Sequence, residues 1–83
     1  MDDKTSLYDL SAIEESLVLE TLREVYDALE ERGYDPINQI VGYLITNDPG
    51  YISSYKDARK KIVSIDRATI LAILLKGFIK WDI

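Results

Sequence analysis

Apolar residues recur along this chain at helical spacing, and strict alternation is not sustained anywhere. Ile37, Ile40, Val41, Leu44 and Ile45 follow i, i+3, i+4, i+7 and i+8, the stripe of an amphipathic helix. Two Asp-Pro pairs bracket it, Asp35-Pro36 and Asp48-Pro49, and they hold the only prolines in the chain. Asp accepts from free N–H groups at a helix start, and Pro suits the first helical position, where its missing N–H costs nothing. The spacing predicts a helix over 36–46 and a short helical element over 49–53. Gly42 lies inside the first of these, where a glycine costs up to about 1 kcal/mol relative to Ala, so another helix is expected to approach closely there.

Upstream, Val18, Leu22, Val25, Tyr26 and Leu29 form a second stripe, extended N-terminally by Ile13 and Leu17. Ser11 stands three residues before Glu14 as a capping box, and Arg32-Gly33 supplies a cation followed by a left-handed stop. These signals predict a helix over 12–32. Residues 1–10 carry no sustained periodicity and are expected to form a flexible N-terminal arm, with a single helical domain over 11–83.

Downstream, Ser53 or Ser54 caps an expected helix over 55–65, with Ile62, Ile65 and either Tyr55 or Ala58 turned inward. Asp66 caps a last helix over 67–80, in which Ile70, Leu71, Ile73, Leu74, Leu75, Phe78 and Ile79 leave almost no polar face. A helix apolar all round is normally buried, and a small monomer has little interior to bury it in. Homodimerisation through this helix is therefore expected, with Ile70, Leu74 and Phe78 at the interface. The expected fold is all-α, a compact homodimeric bundle of about five helices.

Composition narrows the class. The chain has 83 residues, 47% hydrophobic and 30% charged, which is the balance of one folded domain and not of a disordered segment. With no cysteine and no histidine, disulfides, thiolate metal sites and the commonest general base are excluded. The acidic first residues lack the basic and apolar regions of a signal peptide, and the greasiest run, around 69–79, is interrupted by Lys76. At about eleven residues it falls short of the roughly 20 needed to span a bilayer. A cytoplasmic location is expected.

Charge is divided between the halves. Residues 1–35 carry eleven acidic against three basic side chains, and residues 51–83 carry seven basic against three acidic. Such a division favours packing the halves on each other, within a chain or across a dimer. Lys56, Arg59, Lys60 and Lys61 concentrate the positive charge. With Tyr51 and Tyr55 beside them they allow a nucleic-acid-binding dimer as an alternative, although a sequence pI near 4.5 opposes general polyanion binding. A docking face for an acidic or phosphorylated protein segment fits the same residues. The paired carboxylates, such as Glu14-Glu15 and Glu30-Glu31, are expected on helix exteriors, where no enclosed site would recruit them for general acid/base work. No calcium loop, phosphate loop or nucleophile elbow is present, so neither an enzyme nor a bound cofactor or metal is expected.

The stretch ERGYDPINQIVGYLITNDPGYI, followed by KDAR, resembles the hallmark of the IreB/ReoM family, small cytosolic regulatory phosphoproteins of Gram-positive bacteria. The likeness is dense from Glu31 to Arg59 and extends over the chain by length and element order. It implies an all-helical homodimer without enzymatic activity, phosphorylated on an arm threonine by a PASTA-domain Ser/Thr kinase and reversed by a cognate phosphatase. The family acts in cell-envelope synthesis and antibiotic tolerance through a downstream protein partner. The family arm reads D-x-T-x-x-[FY], and Asp3-Lys4-Thr5-Ser6-Leu7-Tyr8 matches it, which makes Thr5 the implied phosphoacceptor. Tyr8, Lys56, Arg59, Lys60 and Arg67 are then the implied partner-binding or arm-docking residues. The chain departs from the family at Ser54 and Val63, where relatives have more basic character.

Overall fold

A computed structural model describes the backbone of residues 2–82 and the side chains of residues 14–80. All regular structure among them is helical: α1 (Asp2–Glu31), α2 (Pro36–Thr46), α3 (Ala58–Val63) and α4 (Arg67–Asp82), with 3₁₀ turns at Pro49–Tyr51 and Tyr55–Asp57. Among the described residues, no helix is long and apolar enough to cross a membrane. At about 1.5 Å of rise per residue, the 30 residues of α1 account for the 46 Å long axis of the molecule.

The helix ends follow local chemistry. Gly33, at φ 86°, closes α1: its N–H donates to the Glu30 carbonyl at 3.0 Å and the Tyr34 N–H donates to the Leu29 carbonyl at 3.0 Å. That pair of bonds is a Schellman stop, and it satisfies carbonyls the helix would otherwise leave bare. Asp35 starts α2, its carboxylate accepting from the Asn38 N–H at 3.1 Å and from the Asn38 side chain at 2.8 Å. Asn47 ends α2 in the left-handed region at φ 60°. Asp48 accepts from the Gly50 N–H at 2.9 Å, and Asp66 starts α4 by accepting from the Thr69 N–H at 3.1 Å.

Two boundaries depart from expectation. The first helix begins at Asp2 and not near Ala12. No glycine or proline lies before Gly33 to stop it, and Asp2 and Asp3 suit the positive end of a helix dipole. The helix expected over 55–65 is instead a 3₁₀ turn followed by α3, because Lys56 and Asp57 both adopt left-handed backbones. Neither serine acts as its expected helix cap. Ser54 makes no side-chain cap bond, and the Ser53 hydroxyl accepts from the Tyr55 N–H at 3.2 Å.

The core lies where α1 meets α3, with Ile52 and Tyr43 closing its ends. Val25, Leu29, Ile52, Ala58, Ile62 and Ile70 are fully buried, and Leu22, Ile40, Leu44, Tyr55 and Ile65 pack partly against them. The acidic and basic halves meet across this contact, as Lys61 pairs with Glu24 at 3.1 Å and Lys56 with Glu31 at 2.8 Å. A third exposed pair, Lys76 with Glu15, ties α4 to α1.

The outer surfaces differ from expectation in three places. Only two of the five residues of the α2 stripe, Ile40 and Leu44, face inward; Ile37, Val41 and Ile45 are exposed. Leu17, expected to extend the α1 stripe, is also exposed, and the side chain of Ile13 lies outside the described residues. At Gly42 the close approach is real, but it comes from the 3₁₀ turn and not from another helix. A Cβ built there would stand 2.5 Å from a Tyr51 ring carbon.

Candidate partner-binding surface

Of the implied partner-facing residues, Lys56, Arg59, Lys60 and Arg67 have described side chains, and they stand in three different sets of contacts. Lys56 is the most constrained. It sits at φ 51°, ψ 36°, and its ammonium is held by the Glu31 carboxylate at the end of α1. The other oxygen of that carboxylate accepts from the Tyr55 hydroxyl at 2.9 Å. The Tyr55 ring in turn lies under the Arg32 guanidinium, 5.4 Å from the ring centroid, with Lys56 Nζ at 5.7 Å. Both distances are within cation–π range. The Lys56 hydrogen bond, followed by that of Tyr55, holds the Glu31 carboxyl below its ordinary pKa. The same bond to Glu31 raises Lys56. Glu31 therefore neutralises a cation that sequence alone would assign to a partner.

Arg59 and Lys60 form the second setting. They line an open depression of about 410 Å³ together with Pro49, Ser54, Asp57 and Val63. Arg59 is fixed at its base, its Nε donating to the Ile52 carbonyl at 2.8 Å and its backbone N–H to the Ser53 carbonyl at 3.1 Å. Its two Nη groups have no protein acceptor among the described residues, so a planar fork is held ready for a carboxylate or phosphate. Lys60 is exposed and has no ion-pair partner among the described residues.

Arg67 is the third. Its Nη1 donates to the Leu44 carbonyl at 2.9 Å, tying the start of α4 to the last turn of α2. This bond satisfies a helix-end carbonyl, a structural task that the sequence pattern did not signal. With Lys56 and Lys61 paired to glutamates, the positive patch expected on the fourth helix is reduced to Arg59 and Lys60, a small footprint for a nucleic acid. The residues that reshape the patch, Glu24 and Glu31, lie far from it in sequence, and no local motif marks them.

The expected interface residues divide as well. Ile70 is fully buried among its own chain's core residues, so its apolar surface is already spent there. Leu74 and Phe78 are exposed, as are Leu71, Leu75 and Ile79. Leu74 also lines a groove of about 670 Å³ between α1, α2 and α4, whose other walls include Leu19, Leu22, Ile37 and Val41, with Arg23 and Tyr26 among the lining residues. The side chains of Thr5 and Tyr8 lie outside the described residues; the backbone of both belongs to α1.

The hallmark residues thus serve the scaffold. Tyr34 and Gly33 make the α1 stop, Asp35 starts α2, Gln39 accepts from the Ser53 N–H at 3.0 Å, and Gly42 admits Tyr51. A family model for the IreB regulatory phosphoprotein matches residues 3–80, nearly the whole chain. The protein therefore belongs to the IreB regulatory phosphoprotein family.

Proposed function

We propose that this protein is a non-enzymatic, homodimeric cytoplasmic regulator that works through protein contacts and is switched by phosphorylation of Thr5. A PASTA-domain Ser/Thr kinase adds the phosphate and a cognate phosphatase removes it. The output is control of cell-envelope (peptidoglycan) synthesis and antibiotic tolerance. The observation that carries this reading is the family match over residues 3–80, which includes Thr5 in its Asp-x-Thr setting. The anchored fork of Arg59 beside Lys60 supports a partner-facing surface for an acidic or phosphorylated segment.

The homodimer is supported by the open apolar side. A small monomer rarely exposes a contiguous apolar patch larger than a few hundred Å², yet Leu74, Leu75, Phe78 and Ile79 on α4 all stand open. A second copy of the chain would cover them.

The kinase step is tested by incubating the full chain with the catalytic domain of a PASTA-domain kinase and mapping phosphate by mass spectrometry. One phosphate on Thr5 is expected, with labelling lost in Thr5→Ala. Undiminished labelling of Thr5→Ala overturns the site. A pull-down with unmodified and Thr5-phosphorylated protein then identifies the partner by what binds one form and not the other.

A further inference from the structure

Lys56 and Asp57 are adjacent, neither is glycine, and both have left-handed backbones, at φ 51°, ψ 36° and φ 61°, ψ 23°. L-residues enter this region singly and at a cost, because Cβ crowds the carbonyl that follows. Such conformations persist where the surroundings over-determine them. If both residues turned right-handed, the Tyr55–Asp57 turn would run straight into α3 and give one helix over 55–63. No proline or glycine lies between Gly50 and Gly77 to prevent this, and Ser54 is a residue type that caps helices well.

Beyond the packing of Tyr55 against the core and under Arg32, the hydrogen bonds that hold the break fall into two groups. Gln39 to Ser53, and Arg59 Nε to Ile52, fix the chain just before the left-handed pair. The Arg59 N–H to Ser53 carbonyl bond, which spans six residues, is a product of the broken path itself. Among the described contacts, the hydrogen bonds that reach Tyr55 and Lys56 side chains from a distant element both end on Glu31. The Lys56–Glu31 pair is about half exposed on each side, within reach of a competing charge.

We propose that Glu31 is the catch of a conformational latch. Bound to Tyr55 and Lys56, it holds residues 54–58 in the broken form; when Lys56 is drawn away by an anionic partner group, residues 55–63 join into one helix. Joining re-aims Lys56 relative to Arg59 and Lys60 and reshapes the depression they border. The consequence for partner binding rests on the partner-facing reading of that depression, whereas the latch is a property of the isolated chain.

The test is therefore made on the isolated full chain by NMR. Backbone couplings and carbon shifts report the hand of Lys56 and Asp57, and hydrogen exchange reports the Arg59 amide. The unsubstituted chain is expected to show left-handed values at both residues. Glu31→Ala and Lys56→Met are each expected to move both residues to right-handed helical values, with signals from Leu29 and Ile62 unchanged. Adding Lys56→Gly and Asp57→Gly to Glu31→Ala is expected to restore the broken form, because glycine enters the left-handed region without penalty. Left-handed values that persist in both Glu31→Ala and Lys56→Met overturn the latch. So does a helical segment in the glycine-substituted chain. Neither result bears on whether Thr5 is phosphorylated.

Discussion

α3 and α4 are neighbours in sequence and opposites in use. α3 is six residues long and half cationic, ARKKIV, yet Ala58 and Ile62 are wholly buried against α1 and Lys61 bridges to it. α4 has sixteen residues and is mostly apolar, yet among its described side chains only Ile70 and Ile73 are buried, while Leu75 is 64% exposed. Apolar content measures what a helix can bury, and the partner surface within reach decides what it does bury. α3 lies along the C-terminal half of α1, where Glu24 and its neighbours meet it, and α4 reaches α1 further toward the N-terminus, at Glu15. The closed side therefore holds the monomer together, and the open side is where a second chain would add most.

The largest effect that can break this contrast is a cavity on the closed side. Leu29→Ala or Ile62→Ala, both at positions with no exposed surface, is expected to cost about 2–5 kcal/mol in urea denaturation. Leu75→Ala at low protein concentration should stay within about 0.5 kcal/mol. Equal losses at the two kinds of site would erase the distinction.

The next effect concerns assembly. Leu74→Asp combined with Phe78→Asp is expected to weaken self-association by at least about 30-fold, the loss typical of removing a central anchor. Sedimentation velocity over a concentration series reads it directly. The monomer's own unfolding midpoint should move little, since both side chains are exposed. Unchanged association would place the interface elsewhere.

Two helical glycines sharpen the comparison on a smaller scale. A Cβ at Gly77 meets nothing within 4 Å, so Gly77→Ala should stabilise the monomer by about 0.5–1 kcal/mol through helix propensity. At Gly42 the Tyr51 ring stands in the way. Gly42→Ala should destabilise by about 1 kcal/mol through overpacking, and Tyr51→Ala in the same chain should remove that penalty. Chemical denaturation of the single and double variants checks both signs.

The smallest expected effect is electrostatic and sits on the closed side. Lys56 first and Tyr55 second lower the folded-state pKa of Glu31. Its contribution is therefore fully present above the unfolded carboxyl value and is lost as pH falls through the lower folded value. Lys56 is raised by Glu31, so its contribution is present below the ordinary lysine value and is lost as pH climbs through the higher folded one. Denaturation midpoints of the unsubstituted chain and Glu31→Gln should converge at the acid end and separate near neutrality. The pair is exposed to solvent, so added salt should shrink the gap.

Much of the fold was legible because its signals are local. The Gly33 stop, the Asp35 and Asp66 starts and the inward positions Val25, Leu29 and Ile62 each follow from a few neighbouring residues. The failures have one character. Nothing within a few residues of Lys56 and Asp57 announces a break, since the carboxylate touching that loop belongs to Glu31, 24 and 25 residues away from its two partners. The basic patch was overstated for the same reason, because Glu24 and Glu31 approach it only through the fold. Ile70 is buried within its own chain while Leu74 and Phe78 stand open, and periodicity does not say which side of an apolar helix a core will occupy.

The sequence by itself determined the helical class, most of the helix ends and the family. Each of these rests on residue type and short spacing, where covalent geometry and nearby hydrogen bonds do the selecting. Only the tertiary structure decided which cations are already paired, where the chain breaks between Ser54 and Ala58, and which face of α4 remains uncovered. Those outcomes depend on side chains brought together across tens of residues, and their energies exist only once α1 has a second helix lying against it.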